Sequence, residues 1–151
     1  MNAKFLSNLL TLLFSAICFA QFSKTHYIPP ISNSQNMPIG SKFLYISTPS
    51  ITPIQFTIKQ LGSVNITGTV SRDIPYVFDM DSSGSPFQFV VDQSAANIIL
   101  QDAGYVIEAE DLISVSGRIV DASGNQAGCV VSKGMAALGT QFRIGGMTNL
   151  L

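Results

Sequence analysis

Ile54-Gln55-Phe56-Thr57-Ile58-Lys59 alternates without a break. Ile54, Phe56 and Ile58 fall on one side of an extended chain, and Gln55, Thr57 and Lys59 on the other. A period of two marks a strand with one buried and one solvated face. Upstream, Phe43-Leu44-Tyr45-Ile46-Ser47-Thr48 is a second β-run, closed by Pro49 and Pro53. Downstream, β-candidates recur over 68–71, 76–80, 87–91, 105–109, 113–120, 128–132 and 140–144. Turn-formers separate them: Asp81-Ser82-Ser83-Gly84, Asp102-Ala103-Gly104 and Asp121-Ala122-Ser123-Gly124-Asn125. The last lies between two apolar runs and marks a hairpin. Residues 95–102 have room for one helical turn, and nothing supports a long helix. Strands at roughly 8–12-residue spacing predict an all-β fold, an antiparallel β-sandwich.

The first twenty residues carry a different signal. Lys4 precedes an apolar run through Leu9, Leu10, Leu12, Leu13, Phe14 and Ile17, followed by Cys18-Phe19-Ala20. That is the pattern of a secretory signal peptide, with cleavage expected between Ala20 and Gln21. A membrane anchor needs roughly 20 predominantly apolar residues. The run here is shorter and contains Ser7, Asn8, Thr11 and Ser15. Ile17 before Cys18 argues against lipidation. The chain is therefore expected to be secreted or at the cell surface, without stable membrane insertion once the signal is removed. The expected organisation is a signal peptide over 1–20, an extended lead-in over 21–40 and a β-sandwich domain over 41–151. Pro29, Pro30 and Pro38 keep the lead-in from being helical.

Composition agrees with export. The chain is 46% hydrophobic and only 11% charged, against a usual charged share of about 25%. Without Lys4, seven Lys and Arg face nine Asp and Glu. No basic cluster is present, so nucleic-acid binding through phosphates has no electrostatic basis. Cys129 is the one cysteine outside the signal. It sits in an apolar run and is expected to be a small buried hydrophobe.

Candidate chemistry is sparse. His26 is the only histidine, and no Gly-x-Ser-x-Gly elbow accompanies it. A surface or packing role is expected. One histidine and one cysteine cannot make the usual four-ligand structural zinc sets. Asp79-Met80-Asp81-Ser82-Ser83-Gly84 opens like a calcium loop, but position twelve is Val90, not a bidentate Glu. A looser calcium site from Asp79, Asp81, Ser83 and Asp92 is the metal candidate, with a polar β-turn as its alternative. Glu108 and Glu110 share one face of a strand, about 7 Å apart. Paired carboxylates at such spacing occur in glycosidases, but those pairs usually come from different strands beside sugar-stacking aromatics, and Trp is absent. A solvated acidic face is the expected reading. No cofactor is called for.

One resemblance is more specific. The β-run through Ile113-Ser114-Val115, the return strand ending at Val131-Ser132, and Ala137-Leu138-Gly139-Thr140-Gln141-Phe142-Arg143 resemble the bacterial branch of the IgGFc-binding protein N-terminal domain family. Gln21-Phe22-Ser23-Lys24-Thr25-His26-Tyr27-Ile28-Pro29-Pro30 and Phe43-Leu44-Tyr45-Ile46-Ser47-Thr48-Pro49 are similar to the leading part of such proteins. The resemblance implies the N-terminal module of a large adhesin-like surface protein of gliding bacteria, exported by type IX secretion. It transfers no catalytic residues. It departs in having no C-terminal sorting domain and in stopping at Met147-Thr148-Asn149-Leu150-Leu151, so the sandwich is expected to be truncated at its C-terminal end. The expected function is a non-catalytic adhesion or scaffold module whose partner is an extracellular protein or glycan. The alternative is a secreted carbohydrate-active enzyme or carbohydrate-binding module.

Overall fold

The computed structural model describes residues 21–32, 39–60, 65–83, 89–95, 98–100, 102–125 and 127–137. The signal peptide with its Ala20 cleavage position, Gly84 of the calcium-like loop and the strand expected over 140–144 lie outside them.

One strand organises the molecule. Residues 105–109 and 113–120, expected as two strands, form a single strand β8 (Tyr105–Asp121) of 17 residues. Odd-numbered side chains point inward along both of its arms: Tyr105 and Ile107 in the first, Ile113, Val115 and Gly117 in the second, all buried. Between the arms Glu110, Asp111 and Leu112 are exposed. There the strand leaves one half of the sandwich and enters the other.

Each arm of β8 is flanked on both sides. The first arm pairs antiparallel with β1 (Ser23–Ile28) and with β4 (Ile54–Gln60), which pairs in turn with β5 (Ile66–Val70). The second arm pairs with β3 (Ile39–Ser47) and β9 (Ala127–Ser132), and β3 pairs with β6 (Tyr76–Asp79). The result is an antiparallel seven-stranded sheet folded upon itself as a sandwich. The short strands β2 (Ile31–Ser32) and β7 (Val90–Val91) make a separate parallel pair. Residues 33–38 of the lead-in expected over 21–40 lie outside the described residues; its part Ser23–Ile28 belongs to the sheet and buries His26 and Ile28. Residues 96, 97 and 101 of the helical turn allowed over 95–102 lie outside the described residues; a 3-10 turn covers Gln93–Ala95 and one α-helical turn covers Met80–Ser83.

The core lies between the two halves. Ile54, Phe56, Ile58 and Ile107 face Leu44, Ile46, Phe78 and Val115, with Met80 and Phe89 filling between them. Each such side chain contributes about 1.5–3 kcal/mol by leaving water. Phe56 meets Tyr76 edge-on, with ring centroids 4.9 Å apart. Its ring also lies over Gly68 on the neighbouring strand. A Cβ at Gly68 would stand 2.6 Å from Phe56 Cζ, so the ring needs glycine beneath it.

At the bend the carbonyls of β8 leave the ladder and need other donors, from side chains or water. Side chains from the flanking strands supply them. Lys24 Nζ donates to Glu110 O (2.7 Å), Thr48 Oγ1 to Leu112 O (2.8 Å) and His26 Nε2 to Ile113 O (2.8 Å). Register between β1 and β8 shifts between Ser23 and Thr25: Lys24 alone stands opposite residues 109–112, so the extra length lies in β8, at its bend. After β9 a 3-10 turn (Gly134–Ala137) packs on the start of β1. Gly134 has φ +55, and a Cβ there would fall 2.2 Å from Ser23 Cβ. Among the described residues no helix is long and apolar enough to cross a membrane.

Candidate functional site

The outer face of the first half is polar. Thr25, Glu108, Thr57 and Thr67 form one transverse row across β1, β8, β4 and β5. Around it Gln55, Thr57, Thr67, Glu108 and Glu110 line an open concavity of about 270 Å³. Lys59 Nζ lies 2.6 Å from Glu108 Oε2. The alternation of β4 builds this face: Ile54, Phe56 and Ile58 go inward, so Gln55, Thr57 and Lys59 must go outward. Glu108 and Glu110 do share a face, as read from the sequence. The site offers carboxylate, amide and hydroxyl groups to a hydroxyl-rich ligand.

The calcium candidates are engaged in local bonds. Asp79 Oδ1 accepts the Asp81 backbone N–H at 2.9 Å. Asp81 Oδ2 accepts the Lys42 backbone N–H at 3.1 Å, and its Oδ1 pairs with Lys42 Nζ. Asp92 accepts the Ser94 N–H at 2.8 Å. The hydrogen bonds from Ser94, side chain first and then backbone, hold the Asp92 carboxyl below its usual range. Ser83 ends the helical turn. Among the described residues no three His, Cys, Asp or Glu side chains converge as a metal site.

His26 is fully buried, not on the surface. Its Nε2–H faces the carbonyls of Ile113 and Ser23, at 2.8 and 3.2 Å. Its Nδ1 has no partner among the described residues. Cys129 corrects an expectation. It is exposed, not buried, because Val130 and Ser132 take the inward positions of β9 and leave Cys129 and Val131 outside.

Among the buried polar residues that escaped the sequence reading are Lys42 and Tyr105. Lys42 occupies an inward position of β3, its side chain 7% exposed against 37% for its partner Asp81. Tyr105 is buried at the start of β8, between Phe78 and Phe89. Burial, and then the Asp81 charge, pushes its phenol up to about 12. Lys42 stands in front of the apolar run Phe43-Leu44-Tyr45-Ile46, which carries no mark of which parity faces inward.

No protein-family model matches the chain, and no curated protein matches it. The crystal structure of Thermotoga maritima 1070 is similar over 73% of this chain and 92% of its own, with 12% identity and a TM-score of 0.43. A likeness at this level identifies neither a family nor a function.

Proposed function

We propose that this chain is the non-catalytic N-terminal module of a secreted cell-surface adhesion or scaffold protein, acting through its sheet faces. The observation that carries the reading is the pair of broad outward faces held on one bent strand. The polar row Thr25, Glu108, Thr57 and Thr67 lies on one arm of β8. A row of Val77, Tyr45, Ser116 and Val131 lies on the other. The signal-like residues 1–20 and the resemblance to the leading part of adhesin-like surface proteins support export by the type IX route. The partner is an extracellular protein or a glycan. Protease treatment of intact cells tests the location: the chain should be cut from outside, and its mature form should begin at Gln21. A chain that keeps Met1 inside the cell would refute the proposal.

The concavity at Glu108 and Glu110 favours a second reading, a secreted carbohydrate-active enzyme or carbohydrate-binding module. Glycan hydrolysis that is lost in Glu108→Gln would select it.

A further inference from the structure

The outer face of the second half is ordered in two transverse rows. Val77, Tyr45, Ser116 and Val131 stand side by side on β6, β3, β8 and β9. Asp79, Phe43, Arg118 and Cys129 form the next row. Tyr45, Val77 and Val131 keep 37%, 49% and 50% of their surface exposed. The Phe43 and Tyr45 rings tilt against each other with centroids 6.4 Å apart. The first half turns mainly Thr, Gln, Lys and Glu to solvent, with Tyr27 exposed among them, while this half turns Val77, Phe43, Tyr45 and Val131 outward beside Asp79, Ser116 and Arg118. An acid lies toward one edge and a base two strands away.

The geometry points to a second copy of this chain as the occupant of this face, stacked sheet on sheet about a two-fold axis along the strands between β3 and β8. Such an axis makes each contact twice and lays four strands on four. It sets Val77 opposite Val131 of the second copy. Arg118 comes over the Phe43 ring of the second copy, offset sideways by one strand spacing, about 4.8 Å, from the strand that carries its Asp79. Apolar groups then meet apolar groups, and the guanidinium meets a ring face and a carboxylate. An axis along β8 itself would stack Arg118 on its own copy and is opposed by like charge. Four strands span roughly 19 Å and two rows on one face roughly 14 Å, a patch of about 270 Å², smaller than the ~800 Å² per partner of a stable complex. The contact is therefore weak and depends on concentration, and many copies on one surface would add through avidity. The inference rests on register and charge alone, independent of the proposed function.

Sedimentation velocity on the exported form of the chain, with reductant keeping Cys129 a thiol, tests it. The wild type should dimerise with rising concentration. Arg118→Glu and Asp79→Lys each place like charges together and should weaken association by about tenfold or more. An equimolar mixture of the two variants restores opposite charges across the axis and should return the dimer as a heterodimer. Asp79 also accepts the Asp81 N–H, so thermal melting checks that its variant is folded; Tyr45→Lys probes the same face without touching that turn. If Asp79→Lys does not fold, Arg118→Glu and Tyr45→Lys decide alone. A wild type that stays monomeric at every concentration overturns the inference and leaves the face to another partner or to solvent. So does a dimer that survives Arg118→Glu and Tyr45→Lys, as pairing through a strand edge would, or a mixture of folded variants that stays monomeric.

Discussion

The imidazole of His26 donates its Nε2–H to the carbonyl of Ile113 at 2.8 Å, tying β1 to the bend of β8. The ring is fully buried, and the same nitrogen faces Ser23 O at 3.2 Å. His26→Leu fills the space but leaves these carbonyls without their donor. It should cost about 2–3 kcal/mol, the penalty of unsatisfied buried polar groups. Urea unfolding measures it. A midpoint equal to wild type would mean that the bond does not hold the bend.

Tyr105 predicts the opposite sign. Its hydroxyl is buried without a partner among the described residues. Tyr105→Phe removes an unsatisfied polar group and should be neutral or stabilise by up to ~1 kcal/mol. The phenol also sets an alkaline limit. Its folded pKa is raised to about 12 from 10.0, so the neutral form is favoured on folding. Stability from this group is whole below pH 10 and falls as pH rises toward 12, by about 2–3 kcal/mol. Melting curves from pH 9 to 12 should show that fall in the wild type and a smaller one in Tyr105→Phe. Parallel curves would contradict the assignment.

Lys42 and Asp81 should respond asymmetrically. Removing the carboxylate in Asp81→Ala strands an ammonium that is 7% exposed. Lys42→Met removes the buried charge and leaves a carboxylate that reaches water. Breaking a buried pair from one side costs about 3–5 kcal/mol, whereas an apolar replacement of the buried member is often tolerated. Because Asp81 is partly exposed, its variant should fall near the lower end. Chemical denaturation of both variants compares them, and an equal loss would remove the argument.

Calcium should leave the melting temperature unchanged. Asp79, Asp81 and Asp92 already accept bonds from Asp81 N–H, Lys42 and Ser94. A ligand at 100 times its dissociation constant adds about 2.7 kcal/mol. Melting with millimolar calcium and with chelator should therefore superimpose, and a shift of several degrees would reveal a real site.

Much of the fold was legible because β4 has one apolar and one polar parity. Ile54, Phe56 and Ile58 are all buried, and Gln55, Thr57 and Lys59 point away from the core. The outward placement of Glu108 and Glu110 was legible for the same reason. Uniformly apolar runs were less informative. In Cys129-Val130-Val131 either parity could face the core, and pairing with Arg118 and Ser116 puts Cys129 and Val131 outside. The continuity of β8 was hidden by Glu110-Asp111-Leu112, which reads as a break because three neighbouring side chains are solvated where the strand turns. The pairing of β1 with β8, and so the role of His26, depends on contact between residues over 80 positions apart in sequence. Local pattern carries no information at that range.

The central claim is adhesion without catalysis, and attachment of intact cells to a solid surface tests it most directly. Cells lacking this chain should attach less than wild type. Attachment should return with the wild-type chain, and neither the wild-type chain nor Glu108→Gln/Glu110→Gln should hydrolyse glycan. Attachment unchanged by the loss of the chain, or glycan hydrolysis by the wild-type chain that is lost in the double variant, would contradict the account.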